Sequence, residues 1–154
     1  WCAQHDEKTL VPAKARAYEL PSLSGSESVG VLRFLMGEPS DRAHTEAIEA
    51  GVAWLRGAAL RGIRVETQNG DRIVVHQKAV PLLWARFYDL DTEKPFFCGR
   101  DGIKKATLAE IEKERRMGYA YYGTWPQTLL DTDYPRGKRG PGQETKHSFR
   151  NTPT

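Results

Sequence analysis

The stretch SGSESVGVLRFLMGEPSDRAHTEAIEAGVAWL (24–55) decides the fold class, because its apolar residues recur at helical spacing. Ser24 and Glu27 have the S-x-x-E spacing of a capping box, which predicts the start of a helix. Pro39 ends this helix, and Asp41 is a favourable N-cap for a second one. Two helices joined by a link of about four residues pack antiparallel, so the stretch predicts an αα-hairpin.

After the helices the apolar period changes from helical to alternating. Apolar and charged residues alternate over 63–67, and Asn69-Gly70 follows before a second apolar run. An Asn-Gly pair between alternating runs is a strong signal for a two-stranded β-hairpin, because both residues tolerate a positive φ.

A second capping-box pattern lies further along the chain. Thr107 and Glu110 have the required spacing, and they precede a highly charged segment that predicts a helix as far as about Met117. The sequence therefore predicts a mainly α fold of helical hairpins, with a small β-hairpin appendage.

The charge of the chain is unevenly distributed. Its 154 residues carry a net charge of +3, but 135–154 contain five basic residues and one acidic residue, and 1–134 contain 18 basic and 19 acidic ones. We expect 135–154 to be a disordered, basic, Gly- and Pro-rich tail. A tail of this kind leaves polyanion binding open, but nothing predicts specific recognition of nucleic acid. The apolar runs are too short for a transmembrane helix, so no membrane partner is expected.

Most standard catalytic signatures are missing. The sequence has no Gly-rich phosphate loop, no HExxH or GxSxG motif, and no zinc-ligand spacing of Cys and His. Cys2 and Cys98 are too far apart for a CxxC motif, and they could form one bridge or remain two thiols.

Arginines in unusual surroundings are the best functional candidates. Arg16 lies in Ala-Arg-Ala-Tyr, Arg86 in the aromatic run LLWARFYDL, and Arg100 in a Gly-rich turn. Arg86 has two explanations: an ion pair or ring stacking that supports the fold, or a fork that binds a carboxylate of the substrate. The aromatic residues of 119–125 also have two explanations: they are core residues, or they form a platform for sugar rings.

Three long stretches carry a family resemblance: WCAQHDEKTLVPAKARAYELPSLSGSESVGVLRFLM (1–36), PLLWARFYDLDTEKPFFCGRDG (81–102) and LAEIEKERRMGYAYYGTWPQTLL (108–130). In this order they resemble the catalytic module of polysaccharide lyase family 10, the pectate lyases. Residues 57–80 and the tail carry none of the resemblance.

The resemblance implies part of an α/α toroid and a Ca²⁺-dependent β-elimination. The substrate would be α-1,4-linked polygalacturonate (pectin), and the product a 4,5-unsaturated oligogalacturonide. It places the catalytic base at Arg16 and substrate-binding residues at Arg86 and Arg100. A free arginine has a pKa above about 12, so Arg16 acts as a base only where its protonated form is disfavoured. The alternative is that Arg16 pairs with a carboxylate of the substrate.

The resemblance also implies what this sequence lacks. The acidic Ca²⁺ ligands of the family belong to an earlier portion of its module, so no metal ligand is assigned here. We therefore expect 1–134 to be the C-terminal part of the catalytic domain of a secreted, extracellular enzyme, weak or inactive as an isolated chain. A non-catalytic remnant that binds pectin or other polyanions is the alternative. The sequence does not define an oligomeric state.

Overall fold

The two long helices lie where the sequence predicts them. In a computed structural model that describes residues 1–138, α1 spans Glu27–Gly37 and α2 spans Arg42–Gly57. The side chain of Asp41 accepts a hydrogen bond from the backbone N–H of His44 at 2.8 Å, which confirms the predicted N-cap.

The apolar faces of the two helices share one hydrophobic core, the helix core. Leu32 of α1 and Leu55 of α2 are fully buried in it, together with Trp84 and Leu129. Trp84 donates its indole N–H to the carbonyl of Leu55 at 2.7 Å. This bond fixes the end of α2 against a segment that lies 29 residues further along the chain.

The β-hairpin is also confirmed. Strand β2 (Ile63–Gln68) pairs antiparallel with β3 (Asp71–His76). Asn69 and Gly70 connect the strands with φ of 51° and 69°, the positive values that the Asn-Gly pair tolerates.

Residues 1–138 contain six further strands of two residues each: β1 (Leu23–Ser24), β4 (Trp84–Ala85), β5 (Phe87–Tyr88), β6 (Phe97–Cys98), β7 (Lys104–Lys105) and β8 (Tyr122–Gly123). They form three antiparallel ladders, in which β1 pairs with β5, β4 with β8, and β6 with β7. Within residues 1–138, 35% of the chain is helix and 22% is strand.

The predicted fold class, mainly α and part of an α/α toroid, is therefore wrong. The aromatic run 82–90 contributes strands β4 and β5 to the fold, because its large side chains enter two different cores. Trp84 packs in the helix core, and Phe87 packs in a second, aromatic core. Alternation between two cores suits strand geometry, in which successive side chains point to opposite sides. The buried members of the aromatic core are Tyr18, Phe87, Phe96, Phe97, Cys98, Leu108, Ile111 and Tyr121.

The predicted charged helix is shorter than expected. The capping box at Thr107 is present, but it begins a single 3₁₀ turn, Leu108–Glu110. Ile111 is extended, with ψ of 161°, and α3 then spans Lys113–Gly118. Leu108 and Ile111 are both buried in the aromatic core. The helix is interrupted because the backbone turns so that both side chains enter this core.

The described chain ends in a helical segment: α4 (Pro126–Thr128), a π-helical turn (Leu129–Asp133) and α5 (Tyr134–Lys138). Residues 135–138 of the predicted tail thus belong to α5, and the rest of the tail lies outside the described residues. No helix found between residues 1 and 138 combines the length and apolar character that a membrane span requires.

The two cysteines are free thiols. Cys98 is fully buried in the aromatic core, and Cys2 is half-buried. Of the alternatives that the sequence left open, the structure selects two thiols over one bridge. Burial raises the pKa of the Cys98 thiol.

An ion pair fastens the β2–β3 hairpin to α3. Arg116 donates from Nε and Nη2 to the two carboxylate oxygens of Asp71, at 2.7 and 2.5 Å. Its remaining Nη1 donates to the carbonyl of Ile111. The guanidinium of Arg116 is the main cause that lowers the pKa of Asp71 to about 2.

Gly25 and Gly30 are a matched pair for testing the packing of this fold. A Cβ at Gly25 would lie 2.3 Å from the backbone oxygen of Ala85, whereas a Cβ at Gly30 would have no neighbour within 4 Å. We expect Gly25→Ala to cost about 1–3 kcal/mol through overpacking. Gly30→Ala should stabilise α1 by about 0.5–1 kcal/mol through its helix propensity. Urea unfolding measures both, and equal effects at the two positions would contradict the packing described for Gly25.

The free energy of unfolding should fall as the pH is lowered from about 5 to about 2. Asp71 has a folded-state pKa depressed to about 2, so its contribution is complete above the unfolded pKa and disappears as the pH falls through the folded one. Urea midpoints measured across this range should fall less steeply for Asp71→Asn than for the parent chain. Glu46→Gln, which changes an exposed carboxylate on α2, is the control. Parallel slopes for Asp71→Asn and the parent would contradict the role of this ion pair.

Candidate active site

The three arginines singled out from the sequence lie in one cluster around two tyrosines. The guanidinium carbons of Arg16 and Arg86 are 5.6 and 5.2 Å from the ring centre of Tyr119. The ring of Tyr119 meets that of Tyr18 edge to face, with their centres 5.1 Å apart. We call Tyr18 and Tyr119 the tyrosine pair; guanidinium groups at these distances gain cation–π attraction from it.

Arg100 joins the cluster through a carboxylate. It donates from Nε and Nη2 to the two oxygens of Glu114, at 2.9 and 3.0 Å. Glu114 also accepts from Arg115, whose guanidinium carbon is 4.9 Å from the ring centre of Tyr18. Arg16 is on the same ring, at 4.8 Å. The cluster therefore contains four arginines connected by the tyrosine pair and Glu114.

Arg16 is held by a carboxylate in its own turn. Its Nε and Nη2 donate to the two oxygens of Glu19 at 2.8 and 2.6 Å, and its backbone N–H donates to the same carboxylate at 3.1 Å. The backbone N–H of Glu19 returns a bond to the carbonyl of Arg16 at 2.9 Å. The Arg16 side chain remains 61% exposed, so it is available to a ligand.

This pairing fixes the charge state of Arg16 in the ligand-free chain. The hydrogen bonds from Arg16, assisted by one from Tyr119, lower the pKa of Glu19 to about 2. The same carboxylate raises the pKa of Arg16 above its ordinary value. Arg16 is therefore a cation in this structure, and its pKa is shifted in the direction opposite to that which a base requires.

Arg86 is much more enclosed than Arg16. It donates from Nε to the carbonyl of Ala120 at 3.0 Å and from Nη1 to Glu27 at 2.7 Å. Its guanidinium also lies between the rings of Tyr119 and Trp125, at 5.2 and 5.1 Å. Both supporting roles considered for Arg86, ion pairing and ring stacking, are thus present. Its Nη2 has no hydrogen-bond partner among residues 1–138 and is free to meet a ligand.

Arg100 lies in a tight turn that leaves its side chain 62% exposed. Gly102 closes the turn with φ of 72°, and the backbone N–H of Arg100 donates to the carboxylate of Glu112. Its hydrogen bonds to Glu114 lower the pKa of that carboxyl to about 2 and raise the pKa of Arg100. Arg100 is thus a second exposed, permanently charged group of the cluster.

Sequence reasoning missed Arg115 and did not resolve the aromatic residues of 119–125. Arg115 lies in a run of charges that reads as a solvated helix, and no spacing signal separates it from its neighbours. The aromatics divide by position: Tyr121 is buried in the aromatic core, whereas Tyr119 and Trp125 are half-buried and line the arginine cluster.

A cleft of about 620 Å³ lies apart from this cluster, between β3 and the 3₁₀ turn. Arg72 and Arg116 line it, but all three nitrogens of Arg116 are bonded to Asp71 and Ile111. Residues 1–138 contain no group of three or more His, Cys, Asp or Glu side chains that could hold a metal ion. The arginine cluster is thus the best candidate site in the described chain.

Comparison with known proteins assigns this chain to a family. The family model for pectic acid lyases matches residues 1–130. A family 10 polysaccharide lyase from Cellvibrio cellulosa matches with 41% identity and a TM-score of 0.82 over 89% of this chain. An aspartate-to-alanine mutant of the Cellvibrio cellulosa enzyme, in complex with trigalacturonic acid, matches with 40% identity and a TM-score of 0.80 over 88% of this chain.

The match covers only part of the related structures. This chain spans 42% and 43% of the two Cellvibrio chains. No curated protein sequence matches it significantly. The family model covers most of the chain, and both solved structures share its fold at 40% identity or more. The chain therefore belongs to the pectic acid lyase family, polysaccharide lyase family 10.

Proposed function

We propose that the protein cleaves polygalacturonate by β-elimination and that the arginine cluster is its substrate-binding and catalytic face. The observation that carries this proposal is the meeting of Arg16, Arg86 and Arg100 around Tyr119 and Glu114. Polygalacturonate presents one carboxylate per sugar, and guanidinium forks bind carboxylates with matched geometry. A relative that binds trigalacturonic acid supports the same class of substrate.

The reaction requires two changes at one sugar residue. A base removes the proton from C5, alpha to the carboxylate, and the bond from C4 to the glycosidic oxygen then breaks. The product is a C4–C5 double bond, and the leaving oxygen takes up a proton. The negative charge that develops on the carboxylate side needs cations nearby, and Arg86 and Arg100 are placed in the cluster to supply them.

We further propose that Arg16 is the base. Its exposure and its place beside the other arginines support this role, since neighbouring cations disfavour a further positive charge. In the ligand-free chain Glu19 acts in the opposite direction. The role therefore requires that the pair with Glu19 opens when substrate is bound. A pairing of Arg16 with a carboxylate of the substrate is the alternative role.

Calcium is part of the proposal, but residues 1–138 do not fit a calcium site. Ca²⁺ takes six to eight oxygen ligands, typically from several carboxylates, and the acids of this cluster are engaged by arginines. We place the Ca²⁺ ligands outside the described residues and derive no step through the ion. Residues 1–134 would then be one part of a catalytic domain, in a protein secreted to meet a polymeric substrate.

A non-catalytic pectin-binding protein is the second candidate. It is favoured by one observation: Glu19 raises the pKa of Arg16, which is the direction opposite to that which a base requires. The two candidates share the same arginines and differ only in whether an unsaturated product forms.

Oligogalacturonide binding tests the site directly in the 154-residue chain. We expect the chain to bind trigalacturonate and to lose affinity with added salt, because the contacts are ionic. Arg100→Ala should weaken binding roughly five- to tenfold, since it removes one exposed fork. Arg86→Ala should weaken binding as well, with its unfolding free energy measured in parallel because the side chain is enclosed.

The matched control for these variants is Arg42→Ala. Arg42 is 92% exposed and pairs with Glu46 on α2, outside the cluster. An affinity unchanged by Arg100→Ala, or lowered equally by Arg42→Ala, would remove the cluster as the binding site.

Turnover separates a lyase from a binding protein and tests the role of Arg16. We expect the 154-residue chain alone to form little or no unsaturated product from polygalacturonate, measured by ultraviolet absorbance with Ca²⁺ and with a chelator. In the full natural protein, formation should require Ca²⁺, and Arg16→Ala should lower kcat about 10²–10⁴-fold with little change in KM. A matching loss of affinity would instead assign Arg16 to substrate binding.

A further inference from the structure

Tyr119 contacts more of the cluster than any role as a stacking ring requires. Its hydroxyl donates to Oε1 of Glu19 at 2.8 Å, and its ring lies beside Arg16 and Arg86. Its backbone carbonyl accepts a hydrogen bond from Nη1 of Arg72 at 3.1 Å. One residue thus connects the turn of Arg16 with the β2–β3 hairpin.

The hydroxyl of Tyr119 is important because the carboxylate of Glu19 has few other partners. Within residues 1–138, Oε2 accepts from the backbone and Nε of Arg16, and Oε1 accepts from Nη2 of Arg16 and from Tyr119. Among residues 1–138, Tyr119 is therefore the single group outside the turn 16–19 that hydrogen bonds to this carboxylate. The Glu19 side chain is only 8% exposed, so water reaches little of it.

The hairpin holds the chain on both sides of Gly118. Asp71 binds Arg116, and the neighbouring Arg72 binds the carbonyl of Tyr119. These two adjacent residues of β3 thus bind both ends of a segment of four residues, 116–119. The hairpin lies outside the three stretches that carried the resemblance in the sequence, but within residues 1–130, which the family model matches.

We propose that Tyr119 is the positioning residue for Arg16, that it acts through Glu19, and that Arg72 of the hairpin holds Tyr119 in place. With Nε and Nη2 of Arg16 bound to Glu19, its Nη1 is the nitrogen without a partner among the described residues. The chain of contacts from Arg72 to Arg16 thus sets which nitrogen an approaching ligand meets first, before the pair with Glu19 opens for the proposed catalytic step. The catalytic meaning of this arrangement rests on the proposed lyase function, whereas the positioning itself does not.

Tyr119→Phe is the central test, because it removes the hydroxyl and keeps the ring. Its control is Tyr18→Phe, since the Tyr18 ring also contacts Arg16 but its hydroxyl makes no hydrogen bond among the described residues. The first readout is hydrogen exchange at Nε of Arg16 in the ligand-free 154-residue chain, by NMR of arginine side chains. Arg16→Lys identifies the resonance. We expect exchange to quicken at least about fivefold in Tyr119→Phe and to remain unchanged in Tyr18→Phe.

The titration of Glu19 is the second readout. Only Arg16 and Tyr119 hydrogen bond to this carboxylate within the described chain, and both lower its pKa. The NMR signal of the Glu19 carboxyl carbon, measured against pH, gives the pKa of this group. This pKa should rise from about 2 in Tyr119→Phe and stay unchanged in Tyr18→Phe.

Arg72→Ala tests the contribution of the hairpin, with Arg64→Ala as the control. Arg64 lies on the paired strand β2 and forms its ion pair with Glu66 within that strand. We expect Arg72→Ala to quicken exchange at Nε of Arg16 in the same direction as Tyr119→Phe, and Arg64→Ala to leave it unchanged. Arg72→Lys keeps a donor, so its exchange at Nε of Arg16 should lie between that of the parent and that of Arg72→Ala. This variant also provides a test if Arg72→Ala does not fold.

The outcomes separate the positioning role from the proposed function. Unchanged exchange at Arg16 in folded Tyr119→Phe would overturn the role of Tyr119. Equal changes in Tyr119→Phe and Tyr18→Phe would overturn it as well, because they would reflect a general loosening. If the chain fails to bind trigalacturonate, the proposed function fails, and the exchange measurements still decide whether Tyr119 positions Arg16. If binding occurs, its affinity should fall several-fold in Tyr119→Phe and remain unchanged in Arg42→Ala, which lies outside the cluster.

Discussion

The segment 84–88 holds the two cores together, and the hydrogen bond from Trp84 to the carbonyl of Leu55 fixes its start. From that point the chain sends Trp84 into the helix core and Phe87 into the aromatic core. Arg86, between them, belongs to neither core and lies against Tyr119 and Trp125. The position of Arg86 in the cluster thus depends on where its two apolar neighbours along the chain are buried.

Each arginine of the cluster that the sequence singled out already has a glutamate. Glu19, Glu27 and Glu114 pair with Arg16, Arg86 and Arg100, and Arg115 shares Glu114, so the cluster holds four arginines against three glutamates in the absence of a ligand. Such pairs keep long side chains ordered, which lowers the entropy lost when a carboxylate of a ligand binds. They also make the ligand compete with an internal carboxylate. Affinity therefore depends on the difference between two interactions of the same arginine, one with the internal glutamate and one with the ligand. A polymer with many carboxylates gains from binding several arginines at once.

Local signals in the sequence predicted the local structure well. The N-cap at Asp41, the turn at Asn69-Gly70 and the capping box at Thr107 all lie where they were expected. The fold class failed because short aromatic runs do not reveal whether their residues enter one core or two. The candidate site was likewise predicted only in part. Arg16, Arg86 and Arg100 were found from their surroundings and from a family resemblance. The hydroxyl of Tyr119 was missed, because its contact with Glu19 joins residues one hundred apart and leaves no local pattern. Glu19 and Arg115 were missed although their partners are close in sequence, because a local pair of opposite charges does not by itself distinguish a site from a solvated surface.

The contacts of the cluster differ widely in the length of chain that they close. Arg16 and Glu19 are three residues apart, Arg100 and Glu114 fourteen, Arg86 and Glu27 fifty-nine, and Tyr119 and Glu19 one hundred. Closing a longer loop costs more entropy, so long-range contacts form after local ones have reduced the search. The ion pairs at Arg16 and Arg100 can thus form early in folding as separate units. The hydrogen bond from Tyr119 completes the site only when residues 19 and 119 have met. A misfolded chain would therefore keep the local ion pairs but lose the arrangement of the arginines around Tyr119.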